Sequence, residues 1–460
     1  MLQRYIGDKA FYRRVLAVAL PIIVQNGITN FVSLLDNIMV GQVGTLQMSG
    51  VAIVNQLLFV FNLCIFGAVS GAGIFTAQFF GSENHQGVRY TFRFKVIIGV
   101  LISVLGISTF LLAGKSLIGL FLQGEGTAED IAQTLSYGQE YLKLMLWGLP
   151  AFALATAYSS TLREGNQTIV PMAAGISAVI INLGLNYVLI FGYLGLPAMG
   201  IRGAALATVI ARYCELLIVA GWTHINSGKN PFVIGSYHSF HIPGQLLKQI
   251  IVKGMPLLVN EAFWSIGMAM LSQSYSTRGL DVVAAQNISS TLYNLSSVVF
   301  LSMGNAVGII MGQMLGANRS EPEVRDYNRK LMATSVLSCL IFGGLMAAFS
   351  GLFPRIYNTT DDVRSLATRL ILISAALMPF NAYTNACYFT LRSGGQTLIT
   401  FLFDSCYVWT ICVPLAFVLS RFTALPILPL YAICLCMDIL KCAVGAFMVR
   451  QGKWIQNLAV

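Results

Sequence analysis

A dozen apolar runs divide the chain, near residues 15–38, 47–79, 94–114, 133–158, 168–192, 199–223, 247–275, 283–314, 331–351, 365–391, 397–420 and 426–449. Most are about as long as a bilayer is thick when wound as a helix. Hydrocarbon offers no partner to a backbone N–H or C=O, so a spanning segment must satisfy its own, which leaves helices or a closed barrel. A barrel needs short alternating strands, and the sequence does not alternate. Composition agrees. Of 460 residues 56% are hydrophobic and only 10% charged, and the mean hydropathy of +0.73 lies outside the range of soluble domains. The expected fold is all-α and integral to the membrane, with twelve transmembrane helices.

The runs repeat. Gly73, Ile74, Gln78 and Gly81 recur as Gly308, Ile309, Gln313 and Gly316, and Pro21 maps onto Pro256 at the same offset. Further on, Pro150, Thr161-Leu162-Arg163, Gly165 and Gln167-Thr168 return in register as Pro379, Thr390-Leu391-Arg392, Gly394 and Gln396-Thr397. Two separate words, each in register with a proline, point to duplication of a six-span unit. Six is even, so both halves enter the membrane from the same side, as in parallel transporter repeats. The sequence therefore predicts two pseudo-symmetric six-helix lobes, 1–225 and 247–460, joined by a cytoplasmic linker over 226–246 that carries the breakers Gly228, Pro231 and Pro243. Such a bundle has a cleft between its lobes and is suited to rocking.

The net charge of +10 does not indicate nucleic acid, because the basic residues form no stripe. They crowd the segments assigned to the cytoplasmic side, among them Arg13, Arg14, Arg89, Arg93, Arg325 and Arg329. That bias places both termini in the cytoplasm and the chain in the inner (plasma) membrane, touching anionic lipid headgroups. The nine cysteines lie in apolar segments without metal-like spacing, and the four histidines form no cluster. No cofactor and no metal cluster are expected from these residues. No cleavable signal peptide is expected either, since Met1 to Arg14 is polar and basic and the first apolar run is a full span.

Polar groups inside spans are the candidates for function, because an ionisable side chain at that depth is costly and usually serves an ion path, a cavity or a partner charge. The first span carries Gln25, Asn26, Thr29 and Asp36 after the helix-bending Pro21. Helical winding puts Gln25, Thr29 and Asp36 along one side. Asp36 is read as part of a working site, the alternative being a cap or a structural pair. In the second half Asn260 and Glu261 follow Pro256; Glu261 can bind a cation or make a structural bridge. Asp404 can contact substrate or pair with a nearby base. Asp438 and Lys441 stand three apart, so mutual neutralisation is expected. Asn381, Asn385 and Tyr388 recur at helical spacing, as do Gln286, Ser290 and Asn294. Such seams turn inward and serve either cargo or helix adhesion.

The repeat, Pro21 to Asp36, the Gly-Ile/Gln/Gly and Thr-Leu-Arg words, Asn182 with Asn186-Tyr187, Asp404 with Trp409 and Pro414, and the terminal Gly452-Lys453-Trp454 together resemble the multidrug and toxic compound extrusion (MATE) family of secondary transporters. The likeness runs nearly end to end. It implies an antiporter, not an enzyme, that exports small organic, often cationic, compounds in exchange for H⁺ or Na⁺ by alternating access, here as a monomer. Matched by position, Asp36 corresponds to the acid that the family uses for ion coupling, Asn182 to an amide near it, and Thr208 to a hydroxyl of the same pocket. Asn186 stands where some members carry a second acid. The resemblance adds these to Glu261 as ion-coupling candidates, while Gln25, Asn26, Thr29, Asn260, Asn381, Asn385 and Asp404 are candidates for substrate. A lipid-linked saccharide flippase of related architecture is the nearest alternative, and would favour a basic cleft. An integral-membrane enzyme would need a catalytic cluster, and the paired acid Asp361-Asp362 lies in a loop beside Arg364 without a second acidic motif near it.

Overall fold

The computed structural model describes residues 4–122, 127–357 and 359–459, and all regular structure among them is helical. In order the helices are α1 (Lys9–Gly41), α2 (Thr45–Gly81), α3 (His85–Leu120), α4 (Ala128–Met145), α5 (Gly148–Glu164), α6 (Ile169–Phe191) and α7 (Ile201–Ile225). After a loop with one 3-10 turn (Pro231–Val233) come α8 (Gly244–Ser276), α9 (Leu280–Gly316), α10 (Glu321–Phe349), α11 (Asp361–Ser393), α12 (Thr397–Phe401), α13 (Val413–Phe422) and α14 (Ile427–Gln451). Chain ends 1–3 and 460 lie outside the described residues.

Ten stretches among the described residues are long and apolar enough to cross a membrane, one of them running from Thr397 to Phe422. The other two of the twelve depart for visible reasons. The run at 133–158 is broken at 146–147 into α4 and α5: Pro150 has no N–H to donate to the carbonyl four residues earlier, and its ring crowds that turn. The run at 247–275 is continuous as α8, but Lys248, Lys253, Asn260 and Glu261 dilute its hydropathy. Between α12 and α13 the helix widens into two π turns, Leu402–Cys406 and Val408–Cys412. Pro414, just beyond, removes another i→i−4 bond and accounts for the loosened winding. Small residues fill the inside of the helices, with Ala153, Ala155, Ala157, Ala205 and Ala207 at most 2% exposed, while Leu112, Leu217 and Phe447 stand outward. That is the packing expected in lipid.

The chain forms two compact units. The N-terminal unit comprises Val24–Thr76 and Asn84–Gly254; the C-terminal unit comprises Met1–Ile23, Ala77–Glu83 and Met255–Val460. Helices α1, α2 and α8 contribute to both, and α1 and α8 pass from one to the other beside Pro21 and Pro256. In the N-terminal unit the loop after α7 is fastened to α3. Arg89 donates to the carbonyls of Pro231 and Phe232, and Arg93 to those of Gly235, Ser236 and His241. Tyr237 of the same loop hydrogen-bonds Tyr158, and burial raises its pKa, so the phenol stays neutral.

The sequence repeat extends to backbone geometry. Glu83 (φ 57°) and Asn318 (φ 54°) are left-handed at matching places, as are Asn166 (φ 64°) and Gly395 (φ 74°). Within the C-terminal unit the two Gln/Gly words meet each other. A Cβ on Gly81 would stand 2.0 Å from the Gln313 carbonyl oxygen, and one on Gly316 only 1.8 Å from that of Gln78. Each glutamine then ties down another segment. Gln78 Nε2 donates to the carbonyls of Ser393 and Gln456, its Oε1 accepts from the Leu458 N–H, and Gln313 Oε1 accepts from Arg14. Since the obstructing atoms are backbone, Gly316→Ala must push the helices apart, an overpacking that costs about 1–3 kcal/mol. The thermal midpoint of the purified variant should fall, whereas Gly344→Ala, with nothing within 4 Å of the new methyl, should not lower it. Equal behaviour of the two would show that the crossing does not depend on glycine.

Candidate functional site

In the N-terminal unit, α1, α6 and α7 bring four polar side chains together. Asn186 Nδ2 donates to Asp36 Oδ1 at 2.9 Å and to Asn182 Oδ1 at 3.2 Å. Asn182 in turn lies 3.2 Å from the Thr208 hydroxyl, which donates to the Ala204 carbonyl. With the Asn182 amide turned over, its Nδ2 comes 2.9 Å from Asp36 Oδ2 and its Oδ1 faces the Thr208 hydroxyl. In that orientation the carboxylate receives one amide N–H on each oxygen. Asn182 and Asn186 are i and i+4 on α6 and both are buried, so one helix face supplies both amides. Asn186 Oδ1 is buried without a hydrogen-bond partner among the described residues. An orphaned acceptor beside a carboxylate calls for a cation or a proton donor.

The rest of the first-span seam separates. Gln25 is buried and accepts from Arg163 Nη2 at 2.7 Å, against Gly175, where a Cβ would strike its amide. Thr29 is exposed and gives its hydroxyl proton to the Gln25 carbonyl of its own helix. Asn26 is half-buried. Helical periodicity thus gathered residues that look to different neighbours.

The C-terminal unit holds a second cluster. Asp404, in the first π turn, accepts from Lys441 Nζ at 2.7 Å and from Asn260 Nδ2 at 3.1 Å. Asn260 is locked in place, with its carbonyl oxygen accepting from the Ser405 hydroxyl at 2.8 Å and its Oδ1 from the Ser405 N–H at 3.3 Å. Glu261 is half-buried on α8 beside it. The expected Asp438 and Lys441 pair does not form among the described residues: Lys441 reaches across to Asp404 instead. Spacing on one helix allows the i, i+3 contact, but a better-placed acid on another helix wins. On α11, Asn381 donates to the Tyr293 hydroxyl of α9, which is helix adhesion. Among the described residues Asn385 Oδ1 is buried without a hydrogen-bond partner, while the Tyr388 hydroxyl faces Arg392. Of the second seam, Gln286 is half-buried while Ser290 and Asn294 are exposed.

Sequence reasoning missed Arg163 as the partner of Gln25, Ser405 as the clamp on Asn260, and a buried Lys95 to Glu164 ion pair in the N-terminal unit. The first lay in plain view, since Arg163 belongs to the repeated Thr-Leu-Arg word. For the others no local signal exists, because each pair joins helices far apart in sequence.

Comparison with known proteins decides the family. The sequence profile described as MatE matches residues 21–188 and 256–420, two copies covering both halves. The chain belongs to the MatE family. MatE proteins are transporters, not enzymes, and work without a cofactor. Relatives of this MatE chain include the probable multidrug resistance protein NorM of Thermotoga maritima, 24% identical over 96% of the chain and 93% of that protein. The probable multidrug resistance protein YoeA of Bacillus subtilis is 26% identical over 89% of the chain and 87% of its own length. Among solved structures, an outward-facing multidrug resistance MATE transporter superposes with a TM-score of 0.86 at 17% identity, covering 98% and 97% of the two chains. A substituted form of the Vibrio cholerae MATE transporter VcmN gives 0.85 at 16% identity, covering 98% of each. These likenesses fix the fold as the twelve-helix, two-lobed MatE architecture.

Proposed function

We propose that this MatE protein is a secondary antiporter that exports organic, cationic drugs or toxic metabolites in exchange for H⁺ or Na⁺. The observation that carries the reading is the convergence of Asp36, Asn182, Asn186 and Thr208 from three helices, with one acid, two amides and an orphaned acceptor oxygen. Such a set can hold a proton on the carboxylate or a hard cation among its oxygens. The relatives named as multidrug resistance proteins support the cargo class.

The halves 1–225 and 247–460 act as the two lobes of an alternating-access cycle, with 226–246 as the cytoplasmic linker and the prolines Pro21 and Pro256 as the points where helices bend. The protein works as a monomer in the plasma (inner) membrane, surrounded by lipid, with both termini cytoplasmic. Gln25, Asn26, Thr29, Asn260, Asn381, Asn385 and Asp404 are the polar groups proposed for cargo, with Gln25, Asn260 and Asn381 reaching it only by exchanging the partners Arg163, Asp404 and Tyr293 that they hold in this structure. A flippase gains no support from the basic residues within the spans, since Lys441 is tied to Asp404 and Arg212 lies 3.6 Å from Glu215.

One proton exchanged for one monovalent cation moves no net charge, and a pH difference of one unit supplies only about 1.4 kcal/mol, roughly tenfold accumulation. A second ion would add the membrane potential, about 2.3 kcal/mol per charge at 100 mV. Glu261, in the other half, is the candidate for that second ion. Glu261→Gln should lower the charge moved per cargo molecule by one, read as the membrane-potential dependence of efflux; an unchanged ratio rejects Glu261 as a coupling site. Dye efflux from liposomes under separately imposed pH and sodium gradients tests the function as a whole. Cargo movement that follows neither gradient contradicts it.

A further inference from the structure

Lys441 is a buried ammonium held by groups that would suit any ammonium. Its Nζ donates to Asp404 Oδ1 at 2.7 Å and lies 5.2 Å from the ring centroid of Phe403 and 5.8 Å from that of Tyr407. A carboxylate flanked by aromatic faces is the chemistry by which proteins recognise organic cations, because the ring quadrupole attracts positive charge where water is scarce. Asp404 is positioned independently of the lysine, since Asn260, itself clamped by Ser405, holds its second oxygen. The three cage residues come from the widened turns around 402–412, where π winding displaces side chains from their ordinary helical places. Of the pair, the acid is the more open, with 20% of its side chain exposed against 10% for Lys441.

We propose that Lys441 is a tethered stand-in for cargo, and that an organic cation of the ammonium type binds this cage by displacing it from Asp404. The released ammonium has a second acid at hand, because Asp438 precedes it by three residues on α14 and makes no ion pair among the described residues. Exchange of one cation for another keeps Asp404 compensated throughout, which matters because a carboxylate stripped of its partner away from water is strongly disfavoured. The internal rival also weakens apparent affinity by the fraction of time it occupies the site, so cargo can be let go.

This inference rests on the reading of the chain as an exporter of organic cations, and the two fail separately. The test is equilibrium binding of ethidium, followed by fluorescence, to the full-length protein in detergent. Lys441→Met should bind ethidium about tenfold more tightly than the wild type if the lysine fills the site nine-tenths of the time, and Lys441→Met/Asp404→Asn should lose that gain. Unchanged or weaker binding by a folded Lys441→Met overturns the inference while wild-type binding upholds the exporter reading. Where Lys441→Met fails to fold, Lys441→Arg serves. Its guanidinium holds a carboxylate more firmly, so ethidium binding should weaken severalfold, and equal affinity overturns the proposal.

Discussion

Asp36→Asn is expected to leave a folded protein that no longer couples efflux to an ion gradient. The substitution keeps the shape of the side chain and one oxygen able to accept from the amide of Asn186, so the packing of α1 on α6 has no reason to change. It removes the charge. An amide can neither take up and release a proton near neutral pH nor balance a cation in a site of low polarity. Accumulation of cargo driven by one pH unit should therefore fall from roughly tenfold to about one. Liposomes containing the variant and loaded with a fluorescent organic cation measure this directly. Gradient-driven transport at the wild-type level would remove Asp36 from the mechanism.

The second large effect concerns stability. Lys95 on α3 is wholly buried and donates to Glu164 at the end of α5 at 2.5 Å, with the hydroxyls of Ser160 and Thr161 at 3.1 and 3.2 Å completing its shell. Three donors and three acceptors are matched, and the pair lies within the N-terminal unit. Lys95→Met deletes the cation and leaves a carboxylate that is 11% exposed without its ammonium. Breaking a buried pair from one side costs about 3–5 kcal/mol, far more than replacing both partners. The single variant should lose most of its yield of monodisperse protein and unfold at a clearly lower temperature, and Lys95→Met/Glu164→Gln should recover much of the difference. A single variant as stable as the wild type would mean that water or another group compensates Glu164. The pair has no counterpart in the other half, where Ser393 stands at the matching place and bonds the Thr390 carbonyl.

How far the sequence could be read follows from the range of the forces involved. Twelve spans were legible because hydrocarbon imposes a length and a composition on each one. The duplication was legible because both copies must fold the same turns, down to the left-handed Glu83 and Asn318. Asp36, Asn182, Asn186 and Thr208 were gathered through family resemblance, and the structure brings those four side chains together; no periodicity within one helix would have joined α1 to α6 and α7. Where only local spacing was available it misled. Asp438 and Lys441 fit an i, i+3 pair, yet Asp404 takes the lysine. Gln25 and Asp36 share a face of α1, yet one looks to Arg163 and the other to Asn186. The break at 146–147 was in reach, since Pro150 must cost the preceding carbonyl its partner, but the apolar run around it masked the signal.

The most direct measurement follows the ion itself. Wild-type protein is sealed into liposomes, a gradient of organic cation is imposed, and internal pH and internal sodium are recorded together. Exchange through Asp36 predicts that one of the two ions moves opposite to the cation, in fixed proportion to it, and that neither moves with Asp36→Asn. Cation flow with both ions still, or counter-flow that persists unaltered in the variant, would contradict the account.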